Sequence, residues 1–229
     1  MKIKCILFDI DDTLYDTSLQ MRMARLNAIK AMNEAGFPTD IETAYNVLED
    51  IVKEFGRHYN KHFDTLIERL GLKWDPRVIA AGVAAYRETS SVYLKPYPDT
   101  IPVLLKLREM GYQLGIISEG RAVKQWQKLI QLGIQHLFHY VLISEEINVE
   151  TMTPELFRMA FKELKINPNE TIFIGNRLDT DILCANQVKL VSVRIRKGEF
   201  RLEEPKSPNT TPNYEINKLT DIFDILEKH

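Results

Sequence analysis

The stretch Lys4–Asp16, KCILFDIDDTLYD, constrains the fold more than any other part of this chain. Cys5-Ile6-Leu7-Phe8 is too short an apolar run for a helix and suits a strand buried on both faces. It runs directly into three carboxylates, Asp9, Asp11 and Asp12, followed by Thr13. A buried parallel strand delivers such groups to the crevice at the carboxyl edge of an open α/β sheet, where ligands bind. Alternation along an extended chain puts Asp9 and Asp11 on one side and Ile10 on the other. Carboxylates that close repel one another unless a cation lies between them, and Mg²⁺ is the hard, oxygen-seeking candidate.

After Asp16 the pattern changes. Leu19, Met23, Leu26, Ile29 and Met32 recur at helical spacing as far as Gly36-Phe37-Pro38. Leu48, Ile51, Val52 and Phe55 predict a second helix, and Phe63, Leu66, Ile67 and Leu70 a third. Pro76 opens a fourth as a first-turn proline. Four amphipathic helices with no strand between them read as a small bundle over 16–95.

From Lys95-Pro96-Tyr97-Pro98 onward, helices alternate with short apolar runs: Tyr112–Ile117, Val141–Ile143, Thr171–Ile174 and Leu190–Ile195. That alternation predicts an α/β fold with a doubly wound parallel sheet, a Rossmann-like core formed by 1–15 and 96–229. The four-helix segment is then a cap inserted after the first strand. Lys197–Pro212 reads as surface loop, and Tyr214–Ile216 as an edge strand. Four strand ends carry polar groups: Asp9/Asp11, Ser118, Ser144/Glu145, and Asn176 through Asp181. Convergence at one sheet edge is what an active site on this architecture requires.

Composition removes the competing classes. A formal net charge of −2 provides no electrostatic footprint for nucleic acid or an anionic membrane. The two cysteines, Cys5 and Cys184, lie in apolar surroundings and read as buried thiols of a reducing cytoplasm. The apolar run before Asp9 is too short for a signal peptide or membrane span, so a soluble, cytoplasmic location is expected. Oligomeric state is not legible. His58 and His62 have helical metal-ligand spacing, but no third ligand completes the set, which favours solvated histidines.

FDIDDTL, with a helical insertion after it, resembles the first motif of the haloacid dehalogenase-like phosphohydrolases, and VKQW and GNRLDTD are similar to its archaeal phosphatase branch. The resemblance covers essentially the whole chain. It implies a Mg²⁺-dependent hydrolase of small phosphorylated metabolites, with Asp9 as nucleophile forming an aspartyl-phosphate. Asp11 would act as general acid and then base, and Ser118, Glu119 and Gly120 would hold the phosphoryl group. Asp9, the Asp11 backbone carbonyl, Asn176 and Asp181 would hold the metal.

Three positions depart from the family phrases. Glu119 stands where the second motif carries Asn or Asp, Thr151 where the third carries lysine, and Asn176 where the fourth begins with Asp. Losing a preorganised cation costs roughly 10²–10³ in rate. The departures therefore imply reduced activity, or alternatively a binding protein that keeps the fold without turnover. Arg121, Lys124 and Arg177 are the cations best placed in sequence to compensate, whereas Lys95 reads as part of a proline-stiffened linker.

Overall fold

The computed structural model describes residues 2–57, 59–149 and 151–229, so His58 of the histidine pair lies outside the described residues. The chain divides into two compact units, Met1–Thr17 with Leu94–His229, and Ser18–Tyr93.

The first unit is built on a six-stranded parallel sheet. Its strands are β1 (Cys5–Phe8), β2 (Gln113–Ser118), β3 (Tyr140–Ile143), β4 (Thr171–Gly175), β5 (Val191–Ile195) and β6 (Tyr214–Ile216), in the order β3-β2-β1-β4-β5-β6. Alternation within β1 splits its side chains between the two faces. Ile6 and Phe8 join Leu114, Ile116, Ile172, Ile174, Val193 and Ile195 in one core cluster. Cys5 and Leu7 join Ile117, Phe173, Leu156 and Phe157 in the other. Each such side chain contributes on the order of 1.5–3 kcal/mol on burial, which is why an apolar run this short suffices to define the central strand. Burial also pushes the Cys5 thiol up to about 12.

Register sets the site. Phe8 pairs with both Ile116 and Ile174, and Ser118 pairs with Ile143. The residues that follow β1, β2, β3 and β4 therefore emerge at one edge. Around them run α5 (Thr100–Glu109), α6 (Ala122–Gln131), α7 (Pro154–Leu164), α8 (Leu183–Gln187) and α9 (Ile222–Leu226).

The approach to α8 is wound differently. A single π-turn, Leu178–Ile182, precedes α8. The Asp181 carboxylate takes the Asn176 and Arg177 amides at 2.9 and 3.0 Å, and the wide turn brings it back to them. The surface loop after β5 is also anchored. Buried Arg194 donates to Phe200 O at 2.8 Å and Glu203 O at 2.7 Å, and pairs with Glu215 at 3.0 Å. Within the same unit, Tyr97 N donates to Leu14 O at 3.0 Å, fixing the Lys95–Pro98 stretch to the loop after β1.

The second unit is helical. It comprises α2 (Ile41–Phe55), α3 (His62–Arg69), α4 (Pro76–Tyr93) and all but the first residue of α1 (Thr17–Glu34). Ile29, Met32, Leu48, Ile51, Leu66 and Val78 form its core. Gly82 is required there, because a Cβ would sit 2.7 Å from Met32 Cγ. His62, the first residue of α3, has its Nε2 3.0 Å from the carbonyl of Gly56, which caps α2.

Candidate active site

Beyond Phe8 the chain leaves the sheet as a tight turn in which Asp12 adopts a left-handed conformation, φ 55°. Ile10 is fully buried, and its carbonyl accepts the amides of Thr13 and Leu14 at 3.3 and 3.0 Å. That turn presents Asp9 and Asp11 in different settings.

Asp9 is buried at the strand end, and its Oδ1 accepts the Ser118 hydroxyl at 2.9 Å. Burial, with the charges of Asp181 and Asp11 beside it, holds its carboxyl well above the usual range. Asp11 is only partly buried and is surrounded by donors. Lys128 Nζ contacts its two oxygens at 2.6 and 2.7 Å, while Tyr15 OH and Thr17 Oγ1 donate at 2.8 and 2.9 Å. Burial opposes ionisation there, but the Lys128 charge and these hydrogen bonds outweigh it, so the Asp11 carboxyl is held below its ordinary value. Burial and the Asp11 charge push the Tyr15 phenol up, which keeps it a donor.

Lys128 was not legible as a site residue. It lies ten residues past Ser118, in no motif. Its signal was a charge on an inward-facing part of α6, three residues after buried Gln125 and next to buried Leu129. Gln125 Nε2 donates to Glu119 O at 2.7 Å, which ties the helix to the loop after β2. Of the expected compensating cations, Lys124 is exposed and the Arg177 charge acts on Asp181. Arg177 pairs with Glu119 at 3.3 Å and Asp179 at 3.0 Å, and Arg121 lies 3.9 Å from Glu145.

The second-motif loop is held from within. Gly120 N donates to Ser144 Oγ at 3.0 Å and Ala122 N to Glu145 Oε2 at 2.7 Å. The Gly120 amide, expected to serve an anion, is engaged by a protein hydroxyl in this arrangement. Glu119 points to Arg177 and to the amide of Met152, 2.9 Å away, so its carboxylate is a tether between loops. Thr151, at the lysine position, is exposed.

Asn176 and Asp181 are both buried beyond β4. Burial raises the Asp181 carboxyl to about 6, against the lowering effect of the Arg177 amide and charge and of the Asn176 amide. Gly175 permits this: a Cβ there would stand 2.7 Å from Asp181 Cβ. Among the described residues no group of three or more His, Cys, Asp or Glu side chains is clustered to hold a metal ion. The donors at hand are oxygens: the Asp9 and Asp181 carboxylates, which disfavour each other's ionisation, and the Asn176 amide. Two mutually repelling buried carboxylates fit Mg²⁺, which binds through one or two carboxylates and keeps several waters.

A Rossmann-like parallel sheet that gathers a buried aspartate, a hydroxyl bonded to it and a second buried acid beyond its strand ends is an α/β fold with its polar groups in the crevice where this architecture binds ligands. Residues 3–189 match the haloacid dehalogenase-like hydrolase family, and the chain belongs to that family. It is 48% identical over 228 residues to a glyceraldehyde 3-phosphate phosphatase of Methanopyrus kandleri, covering 99% of this chain and 98% of that one. A protein of the same name from Methanocaldococcus jannaschii is 40% identical, covering 98% and 97%. The structure of a HAD-hydrolase from Bacillus subtilis, described as bound to magnesium, superposes with a TM-score of 0.73 at 20% identity, covering 99% of each chain.

Proposed function

We propose that this protein is a Mg²⁺-dependent phosphomonoesterase acting on small phosphorylated metabolites, glyceraldehyde 3-phosphate first among them, through an aspartyl-phosphate on Asp9. The observation that carries the reading is the Ser118 hydroxyl on Asp9 Oδ1 at 2.9 Å, beside a second buried acid, Asp181. The substrate follows from the names of the archaeal relatives.

Asp9 has to be ionised to attack phosphorus, and its surroundings in the protein alone oppose that. Mg²⁺, held by Asp9, the Asp11 backbone carbonyl, Asn176 and Asp181, would supply the positive charge that reverses this balance. Ser118 orients one Asp9 oxygen and leaves the other to attack. Asp11, kept ionised by Lys128, is set as base for the water that cleaves the aspartyl-phosphate. As acid toward the leaving oxygen it has to gain a proton when the anionic substrate enters. Glu119 and Gly120 serve the site by shaping the loop after Ser118.

Exposed Thr151 favours a second reading, in which the fold binds a phosphorylated ligand without useful turnover. Mg²⁺-dependent release of phosphate from triose and sugar phosphates separates the two, measured on the native chain, Asp9→Asn and Thr151→Lys/Asn176→Asp. Native turnover that disappears in Asp9→Asn upholds the enzyme. No native turnover, with a large gain in the double variant, upholds the binding protein.

A further inference from the structure

We propose that Lys128 supplies the positive charge that the family phrase places at position 151, acting as a positioning residue through Asp11. This rests on the phosphomonoesterase reading and adds a residue to it. Thr151 is exposed and carries no charge. Arg121 and Arg177 are engaged with Glu145, and with Glu119 and Asp179. Lys128 Nζ is within 2.7 Å of both Asp11 oxygens, with its side chain 19% exposed, and it lies 5.9 Å from the centroid of the Tyr15 ring.

The placement is built. The α6 start is tied to the β3 end through Ala122 N and Glu145, and its second turn to the β2 end through Gln125. Buried Leu129 fixes the helix rotation, so Lys128 is delivered to Asp11 by rigid elements. Two of its three ammonium donors go to Asp11, which sets the carboxylate plane through both oxygens at once. A lysine on the helix after the second motif can therefore bring a positive charge to the site through Asp11. The loss of charge at 151 and the presence of Lys128 then belong to one arrangement.

The experiment compares the native chain with Lys128→Arg, Lys128→Met and Lys128→Met/Thr151→Lys, with folding checked by near-UV circular dichroism. Lys128→Gln replaces the methionine variant if that one does not fold. Turnover of glyceraldehyde 3-phosphate and binding of orthovanadate, a phosphoryl mimic, are the two readouts. The expected result is a fall in kcat of about 100-fold in Lys128→Met with KM altered less than about threefold, Lys128→Arg retained within about tenfold, and at least about tenfold recovery in the double variant. Vanadate binding weakens about tenfold in Lys128→Met and recovers likewise. Values for Lys128→Met within about threefold of native on both readouts overturn the proposal, as does a loss that neither arginine nor Thr151→Lys restores. If the native chain turns over no phosphomonoester, the functional reading fails and vanadate decides Lys128 alone: weakening with recovery upholds it, and unchanged affinity overturns it.

Discussion

Glu119 Oε2 accepts the backbone N–H of Met152 at 2.9 Å, so an acid ties down the loop on which the family phrase carries its lysine and proline. The other oxygen meets Arg177 Nη1 at 3.3 Å. One side chain at the end of β2 thereby connects the loops after β3 and β4. Replacing it with the family's asparagine shortens it and breaks both contacts. Because the side chain is 38% exposed, screening limits the cost to about 1 kcal/mol. Hydrogen exchange at Met152 should quicken in Glu119→Asn. Unchanged protection there would mean that the tether does not order the loop.

Gly175 and Asp181 are in closer contact than any side chain at 175 allows. In Gly175→Ala the new Cβ would meet Asp181 Cβ and Cγ at 2.7 Å, and the carboxylate would have to leave the Asn176 and Arg177 amides. Overpacking of this kind costs roughly 1–3 kcal/mol. Denaturant unfolding should show that loss, and Mg²⁺ should stabilise the variant less than the native chain.

Stability should fall as pH rises in metal-free protein. Asp181, raised to about 6, and Asp9, raised well above its ordinary value, both fold more favourably when protonated. Their contribution is complete below the unfolded carboxyl value of about 4 and is lost as pH rises through the folded values. Asp11 is shifted the other way, so its contribution is lost only on acidification below that range. Tm of the metal-free protein should therefore decline from pH 5 to 7, and added Mg²⁺ should raise Tm more at pH 7 than at pH 5. Asp181→Asn should flatten both trends. A pH slope identical to the native one would place its origin elsewhere.

Arg194 is the largest fully buried side chain, and it holds Phe200 O, Glu203 O and Glu215. Arg194→Met leaves Glu215 with Arg196 only and releases both carbonyls. Glu215 is 32% exposed and keeps Arg196, so the cost comes from the two released carbonyls, about 1–3 kcal/mol each. Limited proteolysis should cut between 197 and 207 in the variant well before the native chain is cut.

Much of the fold was legible because strand burial and helical spacing are local signals. CILF read as a central strand since it is apolar on both faces, and β1 lies between β2 and β4 with its side chains in both core clusters. Tyr214–Ile216 read as an edge strand and pairs with β5 alone. The π-turn at Leu178–Ile182 was not legible, because it is wound by a carboxylate returning to amides earlier in the chain.

The candidate site divides the same way. Sequence alone determined that Asp9, Ser118 and Asn176 stand at the ends of strands of one parallel sheet, since each closes or follows an apolar run. Tertiary structure alone decided which cation stands at Asp11. Lys128 is 117 positions away in sequence, and only the packing of Leu129 and the tie through Gln125 turn it toward that carboxylate. The physical reason is reach: hydrophobic periodicity acts over neighbouring residues, whereas an ion pair forms wherever rigid elements bring two charges within 3 Å.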